Sequence, residues 1–227
     1  PKAQAGGIIR IGMDVQKMDD PALFSWGEMA NQARHVLDYV AMAGPDNITR
    51  PMLAAGWQPA DDLRVWEIRL RDGVAWHNGD PLTAEHVAWN VRRWLDPALG
   101  SANIGLSTFA AMVAETGDVD TENRPIRRPI DGAVEVVDRL TLRLNLAKPV
   151  LSVPEDFSNF ASAIVHPSFE APWSDNPIGT GPFTLKELVV GERCILQRIE
   201  TRSDGEPFDY WGGEVFLDEI HYYDFSV

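Results

Sequence analysis

Between residues 140 and 146 every second side chain is leucine: Leu140, Leu142, Leu144 and Leu146 alternate with Thr141, Arg143 and Asn145. A period of two sets one side of an extended chain against a core and the other in water, so this stretch predicts a half-buried strand. Ala133 to Val137 completes a hairpin with it across Asp138-Arg139. Val65 to Leu70 repeats the pattern, with Trp66, Ile68 and Leu70 on one side and Glu67 and Arg69 on the other. Such one-faced strands belong to antiparallel sheets that something else must cover.

Helical periodicity supplies the cover. Val87, Val91, Trp94 and Leu95 mark one helical face, with Thr83 at the N-cap and a stop before Asp96-Pro97. A second helix is expected from Ser25, where Ser25 and Glu28 have capping-box spacing and Met29, Ala33, Val36, Leu37 and Val40 share a face. Gly7 to Met13 reads as a first strand. Further strands are expected at Ile164-Val165, Phe183 to Val190, Arg193 to Glu200 and Asp218 to Phe225. Val150 to Phe160 starts as a helix that Pro154 restricts to one turn. Trp57 to Asp62 is read as a turn and the polar stretch Thr116 to Gly132 as a long exposed loop. The sum is a mixed α and β chain with more antiparallel than parallel signal.

Composition removes several functions. The 227 residues suit one or two domains. Asp and Glu number 34 against 20 Lys and Arg, a net charge of −14. That balance argues against nucleic acid and against an anionic membrane surface as partners. The lone Cys194 allows neither an internal disulfide nor a cysteine-based zinc cage. The five histidines show no i, i+4 pair and no H-E-x-x-H, so no metal and no cofactor are expected. G-x-S-x-G is absent, and Gly179-Thr180-Gly181 lacks the Lys-Ser/Thr of a phosphate loop. An enzyme is therefore not expected, although a pair of carboxylates from distant positions would leave no local signature. No run reaches the roughly 18 apolar residues of a membrane span, and the opening Pro1-Lys2-Ala3-Gln4 suits a chain trimmed of its leader.

Aromatics beside turns remain. Phe24 and Trp26 flank the start of the first helix, Phe157 and Phe160 precede Ala161-Ser162-Ala163, and Phe183 closes the Gly-Thr-Gly-Pro turn. Each has a core reading and a ligand reading; strand-to-helix exits are the better placed to meet a ligand.

In order along the chain stand Pro51-Met52-Leu53-Ala54-Ala55-Gly56-Trp57, the block Trp66 to Val87 with Arg71-Asp72-Gly73-Val74-Ala75-Trp76-His77-Asn78-Gly79-Asp80-Pro81, the turn Pro177-Ile178-Gly179-Thr180-Gly181-Pro182-Phe183, and Tyr210-Trp211-Gly212-Gly213 with Leu217-Asp218-Glu219-Ile220. Together they resemble the family 5 extracellular solute-binding proteins, the dipeptide, oligopeptide and nickel receptors of ABC transporters. The resemblance implies an α/β fold of the type II periplasmic-binding-protein kind. It assigns residues 1–44 and 166–227 to a discontinuous first lobe and 45–165 to an inserted α+β subdomain, with the second lobe absent from this chain.

It further implies a monomer in the periplasm or on the cell surface that passes a small solute, most simply a peptide, to an ABC permease. A ligand-sensing regulatory module of the same fold is the alternative, and a hydrolase a third. The resemblance puts Asp20, Phe24, Ser25 and Trp26, at the first-strand exit, in the ligand cleft together with Thr180 and Phe183, and adds Phe157, Phe160 and Ser162 as a weaker group. For the Gly-Thr-Gly-Pro turn, ligand contact and a purely connecting role stand side by side, because glycine suits any close backbone approach.

Overall fold

The computed structural model describes residues 5–119, 121, 123 and 125–225. In chain order its elements are β1 (Ile8–Gly12), α1 (Gly27–Ala33), β2 (Ala41–Ala43), β3 (Thr49–Pro51), β4 (Ala54–Pro59), β5 (Val65–Leu70), α2 (Ala84–Trp94), α3 (Ser107–Ala110), β6 (Val113–Val119), β7 (Pro125–Pro129), β8 (Val134–Asp138), β9 (Thr141–Asn145), α4 (Val153–Asp156), β10 (Phe183–Val189), β11 (Arg193–Arg198) and β12 (Glu219–Tyr223). They fall into two compact units. Unit one takes the described residues of Pro1–Asp38, Gly73–Leu82 and Ser168–Val227, and unit two takes those of Tyr39–Asp72 and Thr83–Pro167.

Unit one is built on a four-stranded sheet in the order β1-β12-β11-β10. β1 and β12 run parallel, from Ile8 opposite Glu219 to Gly12 opposite Tyr223, and the other pairs are antiparallel. Ile220, Tyr222, Cys194, Leu196 and Phe183 are buried from the sheet, as are Met18, Phe24, Val36, Leu37 and Trp173 from the connections. Gly191, at φ +73°, supplies the left-handed residue of the β10–β11 turn.

Unit two carries the alternating strands. Its sheet has the order β4-β5-β9-β8 and is antiparallel throughout. Trp66, Ile68, Leu70, Leu142 and Leu144 are buried, and α2 packs against β8 and β9 with Val87, Val91 and Trp94 buried. Trp94, Phe109 and Phe157 form an aromatic cluster with ring centroids 5.3 to 6.2 Å apart. Thr83 stands at the N-cap of α2, but its side chain makes no capping bond.

Residues 73–82 lie in unit one: His77 N–H donates to the Gly179 carbonyl (2.9 Å) and Ser203 N–H to the His77 carbonyl (2.9 Å). The other unit edges fall at 38/39 and 167/168. Five expectations need correction. The first helix ends at Ala33 and does not reach Val40, because the carbonyls of His35 and Val36 accept from Phe183 and Gly181 and so are lost to a helical ladder. Ser25 is not its cap; Trp26 holds that position, without a side-chain bond. The Trp57 turn is instead part of β4, where Pro59 is tolerated because β4 is an edge strand. Within Thr116 to Gly132, β6 and β7 pair as an exposed ribbon, with Pro125 and Pro129 at the ends of β7, where a missing N–H costs least. Finally, Ile164 and Val165 are buried outside any strand; Val165 bonds the Asn90 side chain through both its backbone groups.

Candidate functional site

Parallel strands collect ligands at their carboxyl ends, where connecting loops converge. In unit one those ends are Gly12 of β1 and Tyr223 of β12, and the loop leaving β1 is tied down along its length. Met13 N–H donates to the Tyr223 carbonyl (3.0 Å) and Val15 N–H to Asp224 Oδ2 (2.9 Å). The buried Gln32 amide of α1 accepts from Gln16 N–H (3.1 Å) and donates to its carbonyl (3.0 Å). Trp173 and Ser174 donate to the Asp19 and Met18 carbonyls. Asp20 Oδ1 accepts from Ala22 N–H at 2.9 Å, capping a short 3-10 turn at Pro21–Leu23. Val15 and Met18 are buried beneath. The loop is thus a preformed rim; Leu23 (43% exposed) and Trp26 (70% exposed) stand out from it, with Ser25 also exposed.

The Gly-Thr-Gly-Pro turn lies deeper and is held from three sides. A Cβ on Gly179 would stand 1.8 Å from the Val36 carbonyl oxygen, and one on Gly181 would stand 2.6 Å from that of His35. These glycines therefore serve a close approach of the chain to itself, sealed by Gly181 N–H to Val36 O (2.9 Å) and Phe183 N–H to His35 O (3.0 Å). Thr180, fully buried, donates to Asp38 Oδ2 at 2.9 Å, and Trp211 Nε1 donates to the same oxygen at 2.9 Å. Asp38 Oδ1 is buried with no hydrogen-bond partner among the described residues. Burial, only partly offset by the Trp211 and Thr180 bonds, pushes the Asp38 carboxyl up to about 6.

On the third side is His77. Its Nε2 lies 2.8 Å from the Gly181 carbonyl and must be the donor; Nδ1 is then bare and accepts from Gly179 N–H at 3.3 Å. Burial holds His77 below its ordinary range. Beside the turn, His35 stacks edge-on to Phe183 and lies 3.0 Å from the Tyr222 hydroxyl. That hydroxyl donates to Asn31 O, so His35 Nε2 is the donor to it; burial first, and then the Arg34 charge, bring His35 down to about 4.

The nine residues singled out from the sequence therefore separate. Asp20, Phe24, Ser25 and Trp26 share the rim, where Trp26 and Ser25 are exposed while Phe24 is sunk in the core. Thr180 and Phe183 lie in the buried knot of unit one. Phe157, Phe160 and Ser162 are in unit two: Phe157 fills the aromatic cluster, the Phe160 carbonyl accepts from the Tyr39 hydroxyl, and Ser162 bonds Asn103 Oδ1 and the Asp156 carbonyl. Missed were Asp38, His77 and Trp211. The last two sit in quoted motifs, and Asp38 was hidden because the expected helix set it off the apolar face. Among the described residues, no group of three or more His, Cys, Asp or Glu could hold a metal, and no helix is long and apolar enough to cross a membrane.

The profile of the family described as bacterial extracellular solute-binding proteins, family 5 (middle part), matches residues 49–226. The chain belongs to this family. Among curated relatives, the periplasmic oligopeptide-binding protein OppA of Escherichia coli is 27% identical over 203 residues, 84% of this chain and 35% of that protein. The periplasmic murein peptide-binding protein MppA of E. coli is 30% identical over 151 residues, 64% and 27% of the two chains. Among solved structures, Listeria monocytogenes OppA bound to peptide superposes with a TM-score of 0.76 at 21% identity, covering 99% of this chain and 43% of that one. The fold is that of type II binding proteins, and the chain spans about a third of the length of these curated relatives.

Proposed function

We propose that this chain is part of the substrate-binding component of an ABC importer, located in the periplasm or at the cell surface, which captures a peptide without altering it. The observation that carries the reading is the family match over 49–226, joined to a fold shared with binding proteins solved holding peptides. The rim supports it physically: a loop fixed before any ligand arrives avoids an ordering cost on binding, and the exposed Trp26 offers a flat apolar surface beside backbone groups. Of the nine residues, Ser25 and Trp26 are the contacts we assign from unit one; Asp20, itself buried, caps the turn that carries them.

Calorimetric titration of the protein as its gene encodes it, with a mixed pool of di- to pentapeptides, tests the proposal. Binding heat and recovery of intact peptides are expected. Cleavage of the peptides, or binding confined to non-peptide solutes, overturns it. A nickel or agropinic-acid cargo is the second reading, since a nickel-binding periplasmic protein of E. coli (24% identical) and a binding protein in complex with agropinic acid (21% identical) are also similar to this chain.

A further inference from the structure

Asp38 and His77 grip the 179–183 turn from two directions, and among the described residues neither is bonded to a group of opposite charge. Asp38 accepts from Thr180 and Trp211 through one oxygen and leaves the other buried and unbonded among the described residues; its charge opposes ionisation of the Tyr210 phenol. His77 meets only Gly179 N–H, the Gly181 and Pro177 carbonyls and the edge of the Phe208 ring, 5.1 Å away. Both are most comfortable uncharged. One, however, becomes neutral by gaining a proton and the other by losing one.

We propose that Asp38 and His77 are opposed proton-responsive clasps on this turn, so that acidification relieves a buried charge at one while it breaks a hydrogen bond at the other. Asp38 rises from 3.8 unfolded to about 6 folded, so folding takes up a proton between these limits. Its contribution grows as the pH falls through that window and is lost as the pH rises through 6. His77 is lowered from 6.5, so the unfolded chain protonates first and its contribution is lost as the pH falls below 6.5. At the atomic level an imidazolium Nδ1 has no lone pair for Gly179 N–H, so that bond breaks and Nδ1 is left to donate to the Pro177 carbonyl instead, while a protonated Asp38 can still accept at Oδ2. His35, facing Tyr222, Phe183 and the Arg34 charge, acts in the same direction as His77.

The test is urea unfolding of the 227-residue chain, its Asp38→Asn variant and its His77→Gln variant between pH 4.5 and 7.5, with carboxyl-carbon and imidazole-nitrogen NMR titrations of the unsubstituted chain. Relative to the unsubstituted chain, Asp38→Asn is expected to lose folding constant by at least tenfold between pH 7 and 4.5, and His77→Gln to gain over the same interval. Curves for either variant parallel to the parent overturn the proposal. Should a variant fail to fold, the NMR titration decides: an Asp38 midpoint above 5 with a His77 midpoint below 6 supports it, and an Asp38 midpoint at or below 5 or a His77 midpoint at or above 6 overturns it.

Discussion

Replacing Gly179 with alanine tests whether the turn serves the protein's own backbone or an incoming ligand. The new methyl would lie 1.8 Å from the Val36 carbonyl oxygen and 2.7 Å from its carbon, both rigid backbone atoms. The turn must retreat by more than about 1 Å to restore ordinary contact, and overpacking of this kind costs about 1–3 kcal/mol. Retreat also stretches the bonds from Gly181 to Val36 and from Phe183 to His35, each contributing about 1 kcal/mol net. The expected loss is about 3–5 kcal/mol, a large share of the 5–15 kcal/mol that typically stabilises a domain. Urea unfolding followed by tryptophan fluorescence should show a midpoint lowered by about 1–2 M at an m-value of about 2–3 kcal/mol/M. Gly27, at the start of α1 with nothing within 4 Å of its Cβ position, is the control; alanine there should be neutral or stabilising by up to about 1 kcal/mol. A Gly179→Ala loss below 1 kcal/mol would refute the close-approach argument and restore a ligand-facing role for the turn.

Other substitutions separate scaffold from rim. Trp26→Ala should leave the urea midpoint within about 0.5 kcal/mol of the parent while weakening peptide binding by the encoded protein at least fivefold in calorimetry, because the ring is 70% exposed. Phe157→Ala should cost about 3–5 kcal/mol by denaturant titration, since the ring is fully buried among Trp94 and Phe109. Asn90→Ala should cost about 2–4 kcal/mol, because the amide satisfies both backbone groups of Val165 inside unit two. The Cys194 thiol, pushed up to about 12 by burial, should resist thiol reagents at pH 8 until urea unfolds the chain.

Local pattern carried a great deal here. The leucine alternation placed β9, the Trp66 alternation β5, and the Val87 to Leu95 periodicity α2, because a two- or 3.6-residue repeat is itself the cause of a one-sided element. The ordered motifs were enough to reach the family, since they record a whole fold's turn chemistry. Elsewhere the sequence misled for a specific reason. Val36, Leu37 and Val40 have helical spacing and are buried, yet the carbonyls just before them are taken by a turn some 145 residues later in the chain, and a helix cannot form without them. The paired ribbon β6–β7 leaves no strand signal in the sequence because its faces are both wet and show no alternation of burial.

Least legible were the site's supports. The one-faced strands and the α2 face were legible in the sequence because they depend on neighbours a few residues apart, and the family was legible because its short motifs stand in order along the chain. Only the tertiary structure decided that Asp38, Thr180, Trp211 and His77 form one buried knot, and that Trp26 remains in solvent while Phe24 does not. Those outcomes depend on which distant backbone groups compete for the same hydrogen bonds, and no local repeat encodes that.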